Sequence, residues 1–387
     1  MIRVNRIVLL GGGFAGMTLA TELDSLAASR KCEVTLIDRS DAFRMGLSME
    51  WVLAGRRRPE DGSRTYAQRR AKHVRFLRDE IVRIDTADRS VRTTSERLEY
   101  DQLVIALGAE LRPDLLPGLA DGAHNLCDMD SVVQLRDAIE RINRGTVLIA
   151  ITSLPFKCPP APYEYALLIE DRLRRRGVRD RVDVVVTTPE PQPMPAAGKA
   201  VGDAVKMLLA ERGISYRTLL KPKAVDPVRN VVLFEDGTEQ PYDVLAAMPP
   251  HRAPKAVVNS GLTDSSGFVP VTLGTFETSE PDVYALGDVA AVKLSDGRPH
   301  PKAGVFAEAQ ALVVAGEITA KLGGGSPEPY TGRGICYVDS GRDEAAPAEI
   351  HVLAPGGPHA SIEDPSARGL EEKRRFEAER LEKWFVA

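Results

Sequence analysis

Cysteine is scarce in these 387 residues. The four present, Cys32, Cys127, Cys158 and Cys336, stand far apart, which excludes paired zinc-ligand spacing and a dense disulfide framework. Net charge is nearly absent as well: 51 basic against 55 acidic side chains leave −4, so there is no electrostatic footprint for nucleic acid. The arginine cluster from Arg172 to Arg176 reads as a solvated helix face. No apolar run approaches the ~20 residues that span a bilayer. The opening "MIRVNRIVLLGGG" has no room for the charged, apolar and cleavage regions of a secretory leader. The expectation is a cytoplasmic chain whose contact with the inner membrane would be peripheral. Low-complexity tracts are absent too.

What is there begins with a cofactor signature. "RIVLLGGGFAGMTLATEL" reads as a buried strand, a turn with Gly11, Gly13 and Gly16 in G-x-G-x-x-G spacing, and a helix from about Phe14 and Ala15. Missing side chains let the turn close, let backbone N–H groups approach a pyrophosphate and let helix and strand pack tightly. The next strand, "CEVTLID", ends in Asp38 before Arg39, 22 residues after Gly16, where a carboxylate can accept ribose hydroxyls. Two later strands, "YDQLVIALGAE" with Gly108 and "PDVYALGDVAAV" with Gly287 and Asp288, resemble the downstream elements of flavoproteins with two dinucleotide domains. In those proteins the Gly-Asp carboxylate holds the ribityl chain, so the cofactor expected is FAD.

The expected architecture is α/β, with two Rossmann-like dinucleotide-binding domains and a small C-terminal interface region. The FAD domain would comprise residues 1–112 and 265–325, split by a second Rossmann-like domain at 113–264. Within the insert, strands are expected near 146–151, 182–187, 231–234 and 243–247, with helices near 163–176 and 199–212. Residues 326–387 end in the charged helix "LEEKRRFEAERLEKWF", whose Phe376, Leu381, Trp384 and Phe385 form an irregular stripe suited to docking on its own body or on a homodimer mate.

After the strand "TVLIAI", a nicotinamide cofactor needs its own glycine-rich turn. Here the loop is "TSLPFKCPPAPYE", with no glycine between Thr152 and Glu164, so side chains and prolines fill the space a phosphate would take. Electrons must then come from another donor, and a thiol beside a flavin can supply them. "CPPAPYEYALLIEDRLRRRGVRDRV", "PKAGVFAEAQA" and "GICYVD" resemble the first cysteine segment, the flavin-contacting segment and the second cysteine segment of the sulfide:quinone oxidoreductase and flavocytochrome c sulfide dehydrogenase flavoprotein family.

That resemblance implies FAD and a redox pair, Cys158 with Cys336, bridged in the oxidised enzyme and opened by hydrosulfide to a persulfide and a thiolate that reduces the flavin. It implies an accessory role for Cys127, a place for Lys302 and the helix from Gly304 at the flavin, and a quinone as acceptor. Glu164, six residues after Cys158, is a candidate proton handler or simply a first-turn helix carboxylate. Cys32 reads as a small buried apolar residue. Two histidines that quinone-reducing relatives carry near the sulfur site are replaced here by Ser131 and Pro195. The rival readings are a soluble acceptor such as a cytochrome, a type II NADH dehydrogenase, and a non-enzymatic flavin and thiol redox sensor.

Overall fold

Near-continuous apolar runs such as Ile7 to Leu10 and Leu103 to Ile105 suit strands buried on both faces, and such strands assemble into parallel sheets covered by helices. The computed structural model describes residues 4–386; Met1 to Arg3 of the expected FAD domain and Ala387 of the terminal region lie outside it. Its first parallel sheet has the order Val283–Ala285, Gln102–Ile105, Asn5–Leu10, Cys32–Asp38, Arg75–Arg78. Helix α1, Phe14–Ala28, follows the glycine turn. A second parallel sheet runs His124–Asn125, Val244–Met248, Gly145–Ile151, Val182–Thr187, Ser215–Arg217.

Each sheet carries an antiparallel three-stranded appendage. One is formed by 81–85, 90–93 and 97–99, the other by 222–226, 231–234 and 239–241. The strand expected at 231–234 is present, and it belongs to the antiparallel appendage of the insert, not to the second parallel sheet. Its sequence continues through Asp236 and Gly237, with φ +86 at the glycine, so the chain turns back into a hairpin. The edge of the parallel sheet is supplied instead by the short strand at 215–217, which carries little apolar signal.

Four further helices position the site: α2 (Ser48–Leu53), α3 (Ala161–Arg175), α4 (Gly304–Lys321) and α5 (Ala367–Trp384). Helix α4 packs along α1. An antiparallel sheet of Arg333–Gly341, Glu344–His351 and His359–Ile362 leads into α5, which lies against its middle strand. Ser366 caps α5, its side chain accepting from the Gly369 N–H at 3.1 Å. The far end of α5 docks on its own chain: Trp384 is fully buried with ring centroids 5.3 Å from both Phe14 and Phe43, in edge-on geometry. Among the described residues, no helix is long and apolar enough to cross a membrane.

Candidate active site

The carboxyl ends of both parallel sheets open into one cleft of about 750 Å³, where open α/β sheets commonly bind ligands. From the first sheet it is lined by Gly11, Gly13, Phe14 and Ala15, by Asp38 and Arg39, by Gly108, and by Gly287 and Asp288. From the second come Cys127 and the loop with Cys158; Cys336, Glu164, Lys302 and Gly304 complete the wall. Gly16 is the one candidate of the glycine signature that does not face the cleft. A Cβ there would stand 1.8 Å from the Gly11 carbonyl oxygen, so its task is close packing of α1 on the strand. Gly13 and Gly108, by contrast, have no other part of the protein within 4 Å of where a Cβ would point, leaving bare backbone toward open space.

Asp38 holds the rim. One carboxylate oxygen accepts the Gly12 N–H at 2.7 Å and the other the Ser40 N–H at 2.8 Å, so the residue expected to meet a ribose also clamps the glycine turn. At the opposite wall the N-terminus of α4 lines the cleft with Gly304 and Val305, the helix end whose first N–H groups lack an intrahelical acceptor. Lys302 stands in the cleft wall, where the resemblance puts it, and its Nζ is held by protein acceptors. A buried ammonium needs acceptors, and its Nζ finds them beneath the cleft wall in the carbonyls of Asp288 at 2.6 Å and Ala290 at 2.9 Å, over the face of Phe268. Burial brings its pKa down to about 8.

Cys158 sits where the loop turns into α3, with φ +55, a conformation uncommon for a side chain that is not glycine. Two backbone bonds hold it: its N–H donates to the Lys302 carbonyl at 2.8 Å, and its own carbonyl accepts the Ala161 N–H at 3.0 Å. Such strain, on the order of 1–3 kcal/mol, persists where surrounding structure enforces it. The residue is reachable from the cleft yet walled by protein, and desolvation with the charges of Glu50 and Glu164 raises its thiol well above the usual range. Cys336, on Arg333–Gly341, is pushed up to about 12 by burial and by Glu164. Cys127 is pushed up to about 11 by burial, its Sγ 3.1 Å from the Met248 sulfur. All three are free thiols here, and Cys32 is buried in the core of the first sheet.

Glu164 occupies the first turn of α3, and it is more than a cap. It is buried, accepts the Asp339 N–H at 2.7 Å and pairs with Lys373 of α5 at 2.5 Å. Lys373 bonds Glu50 of α2 at 2.5 Å as well. Glu50 and Lys373 were not among the candidates from sequence. Ser131 and Pro195 do not line the cleft; Ser131 instead accepts the Asn125 N–H at 2.7 Å.

The sequence pattern of the pyridine nucleotide-disulphide oxidoreductases matches residues 5–151 and 163–311. The chain belongs to that family. FAD is the cofactor this family brings, and the cleft fits it: bare glycine backbone for a pyrophosphate, Asp38 at the ribose end, Asp288 and the start of α4 at the far wall. The matched stretches of the family pattern leave out residues 152–162, the loop that carries Cys158. Among curated members, the chain is 26% identical over 356 residues to the sulfide-quinone reductase of Aquifex aeolicus, covering 87% of this chain and 81% of that one. It is 25% identical over 300 residues to the mitochondrial sulfide:quinone oxidoreductase of Mus musculus, covering 73% of this chain and 65% of the mouse protein. The solved structure of the Aquifex aeolicus sulfide:quinone oxidoreductase superposes with a TM-score of 0.86 at 24% identity, over 97% of this chain and 90% of that one, and establishes the shared fold.

Proposed function

We propose that the protein oxidises sulfide, or a small persulfide, through Cys158 and Cys336 and passes the electrons by way of FAD to a quinone. The observation that carries this reading is the convergence of Cys158, Cys336 and Glu164 on the cleft that fits FAD, on a loop where the family pattern is interrupted. Sulfide and quinone are named for the curated relatives, which supports the same donor and acceptor here.

Bound FAD would supply a two-electron acceptor. The chain's own residues do the sulfur chemistry. With Cys158 and Cys336 oxidised to a bridge, hydrosulfide forms a bond to one sulfur, the bridge breaks, and its electron pair stays on the other sulfur as a thiolate. One cysteine then carries a persulfide. Asp38, Gly13 and the start of α4, which line the same cleft as the two cysteines, would hold the cofactor. Prolines before and within the first turn of α3 occupy the place of a nicotinamide phosphate turn, which argues against NADH as donor. The quinone would be reached by peripheral contact with a membrane, with no spanning helix among the described residues.

The test is anaerobic. Sulfide should bleach the flavin's visible absorbance in the wild type, Cys158→Ser and Cys336→Ser should each lose that bleaching, NADH should leave the spectrum unchanged, and a short-chain quinone should restore it. Bleaching that survives in both cysteine variants, or bleaching by NADH, overturns the reading. Reoxidation by a soluble cytochrome and not by quinone would replace the acceptor alone.

A further inference from the structure

At the foot of the cleft, a carboxylate oxygen of Glu50, one of Glu164 and the Cys158 sulfur all lie within 4.8 Å of one another. Carboxylates and a thiol so placed invite a cation, and the protein provides one. Lys373 Nζ stands 2.5 Å from Glu50 Oε2 and 2.5 Å from Glu164 Oε1, taking the position a metal ion would need. All three charged side chains are sealed from solvent.

Two carboxylates and one ammonium sum to one negative charge, so this cluster has room for one proton. Glu164 is the better stabilised anion, because it accepts the Asp339 N–H in addition to Lys373. A proton that enters the cluster is therefore taken by Glu50, whose affinity for it is raised by burial and by the neighbouring Glu164. Nearby sits a thiol that must lose a proton before it can act as a nucleophile or re-form a bridge.

We propose that Glu50 is the proton acceptor for Cys158, with Lys373 as the residue that positions it. Starting from ionised Glu50, the proton leaves Sγ and binds a Glu50 oxygen, no electrons change owner, and the unit of Cys158, Glu50, Glu164 and Lys373 carries one negative charge before and after. Charge is moved over a few ångströms and is not created in a buried place, so the large desolvation cost of a new ion is avoided. The other titratable groups around Glu50 are already engaged. Asp339 is paired with Arg56 at 2.8 Å and accepts from the Trp51 indole at 3.2 Å, and the Tyr165 hydroxyl donates to the Leu126 carbonyl at 3.0 Å. Cys336 remains a thiol across the neutral range. The inference rests on the reading above only in taking Cys158 as a reacting sulfur.

The experiment is the pH profile of iodoacetamide labelling at Cys158 in the reduced FAD-loaded enzyme, with the labelled peptide located by mass spectrometry. Two groups that exchange one proton titrate as a pair, so wild type should show two rises separated by a plateau. Glu50→Gln keeps the shape but cannot take the proton. It should show a single alkaline rise, with labelling at neutral pH down on the order of tenfold, while Glu50→Asp keeps two rises. A single rise in wild type, which needs no variant to observe, overturns the proposal, as does a plateau that persists in Glu50→Gln. Sulfide bleaching of the oxidised, unlabelled wild type separates the two readings: a protein inert to sulfide whose reduced form gives a two-step labelling profile would sink the sulfide assignment and leave Glu50 standing.

Discussion

At the scale of single residues, the glycines of the first turn divide into two physical jobs that substitution can tell apart. Gly16→Ala would force a Cβ to within 1.8 Å of the Gly11 oxygen, so thermal unfolding of the apoprotein should show a loss of about 1–3 kcal/mol or more. Gly13→Ala meets no other protein atom within 4 Å. Its stability should stay within about 0.5 kcal/mol of wild type, while FAD affinity, followed by flavin fluorescence quenching, falls. Most residues of the site were legible at this scale, because glycine spacing, a strand-ending carboxylate and a cysteine in a proline-rich loop are local patterns. Glu50 and Lys373 were not, since they are 323 residues apart and neither has a neighbour in sequence that betrays its partner.

At the scale of elements, α5 shows why a charged helix was hard to read. Its buried face runs through Leu370, Lys373, Glu377, Leu381 and Trp384, a regular helical spacing. The stripe looked irregular in sequence because two of its members are charged: Lys373 meets Glu50 and Glu164, and Glu377 meets Arg57 at 2.6 Å. A charged side chain at an apolar position of an otherwise periodic helix is the signal that was available. The segment 231–234 is legible as a strand but not as a member of a hairpin, since a short apolar run has no mark that separates a parallel core strand from a hairpin strand. Helix docking can be measured directly. Trp384→Ala empties the pocket between Phe14 and Phe43 and should cost about 3–5 kcal/mol in denaturant unfolding. Ser366→Ala removes only the cap and should cost about 1 kcal/mol.

At the scale of the whole molecule, buried imidazoles set part of the acid limit. His300 is held neutral between the Tyr330 hydroxyl at 2.8 Å and the Pro301 carbonyl at 2.9 Å, and burial lowers its pKa to about 4; His251 is lowered similarly. A folded-state pKa below the unfolded value of 6.5 means the unfolded chain binds more protons between those limits. The stabilisation from a neutral His300 is therefore complete above the unfolded pKa and drains away as pH falls toward about 4. Between pH ~7 and ~5, wild type should lose roughly 2 kcal/mol more than His300→Phe does, read from denaturant midpoints at the two pH values. Glu190, raised to about 7 by burial, works in the opposite direction and cancels in that comparison.

The Lys373 contacts also bear on the order in which the molecule can be completed during synthesis. The ribosome makes Glu164 and Glu50 respectively 209 and 323 residues before the lysine that balances them. Until α5 arrives, closing α2 onto α3 would bring two carboxylates together without the ammonium, and at least one of them would have to take up a proton to be buried there. The last helix to be made thus brings the ammonium that lets both carboxylates stand ionised beside the sulfur.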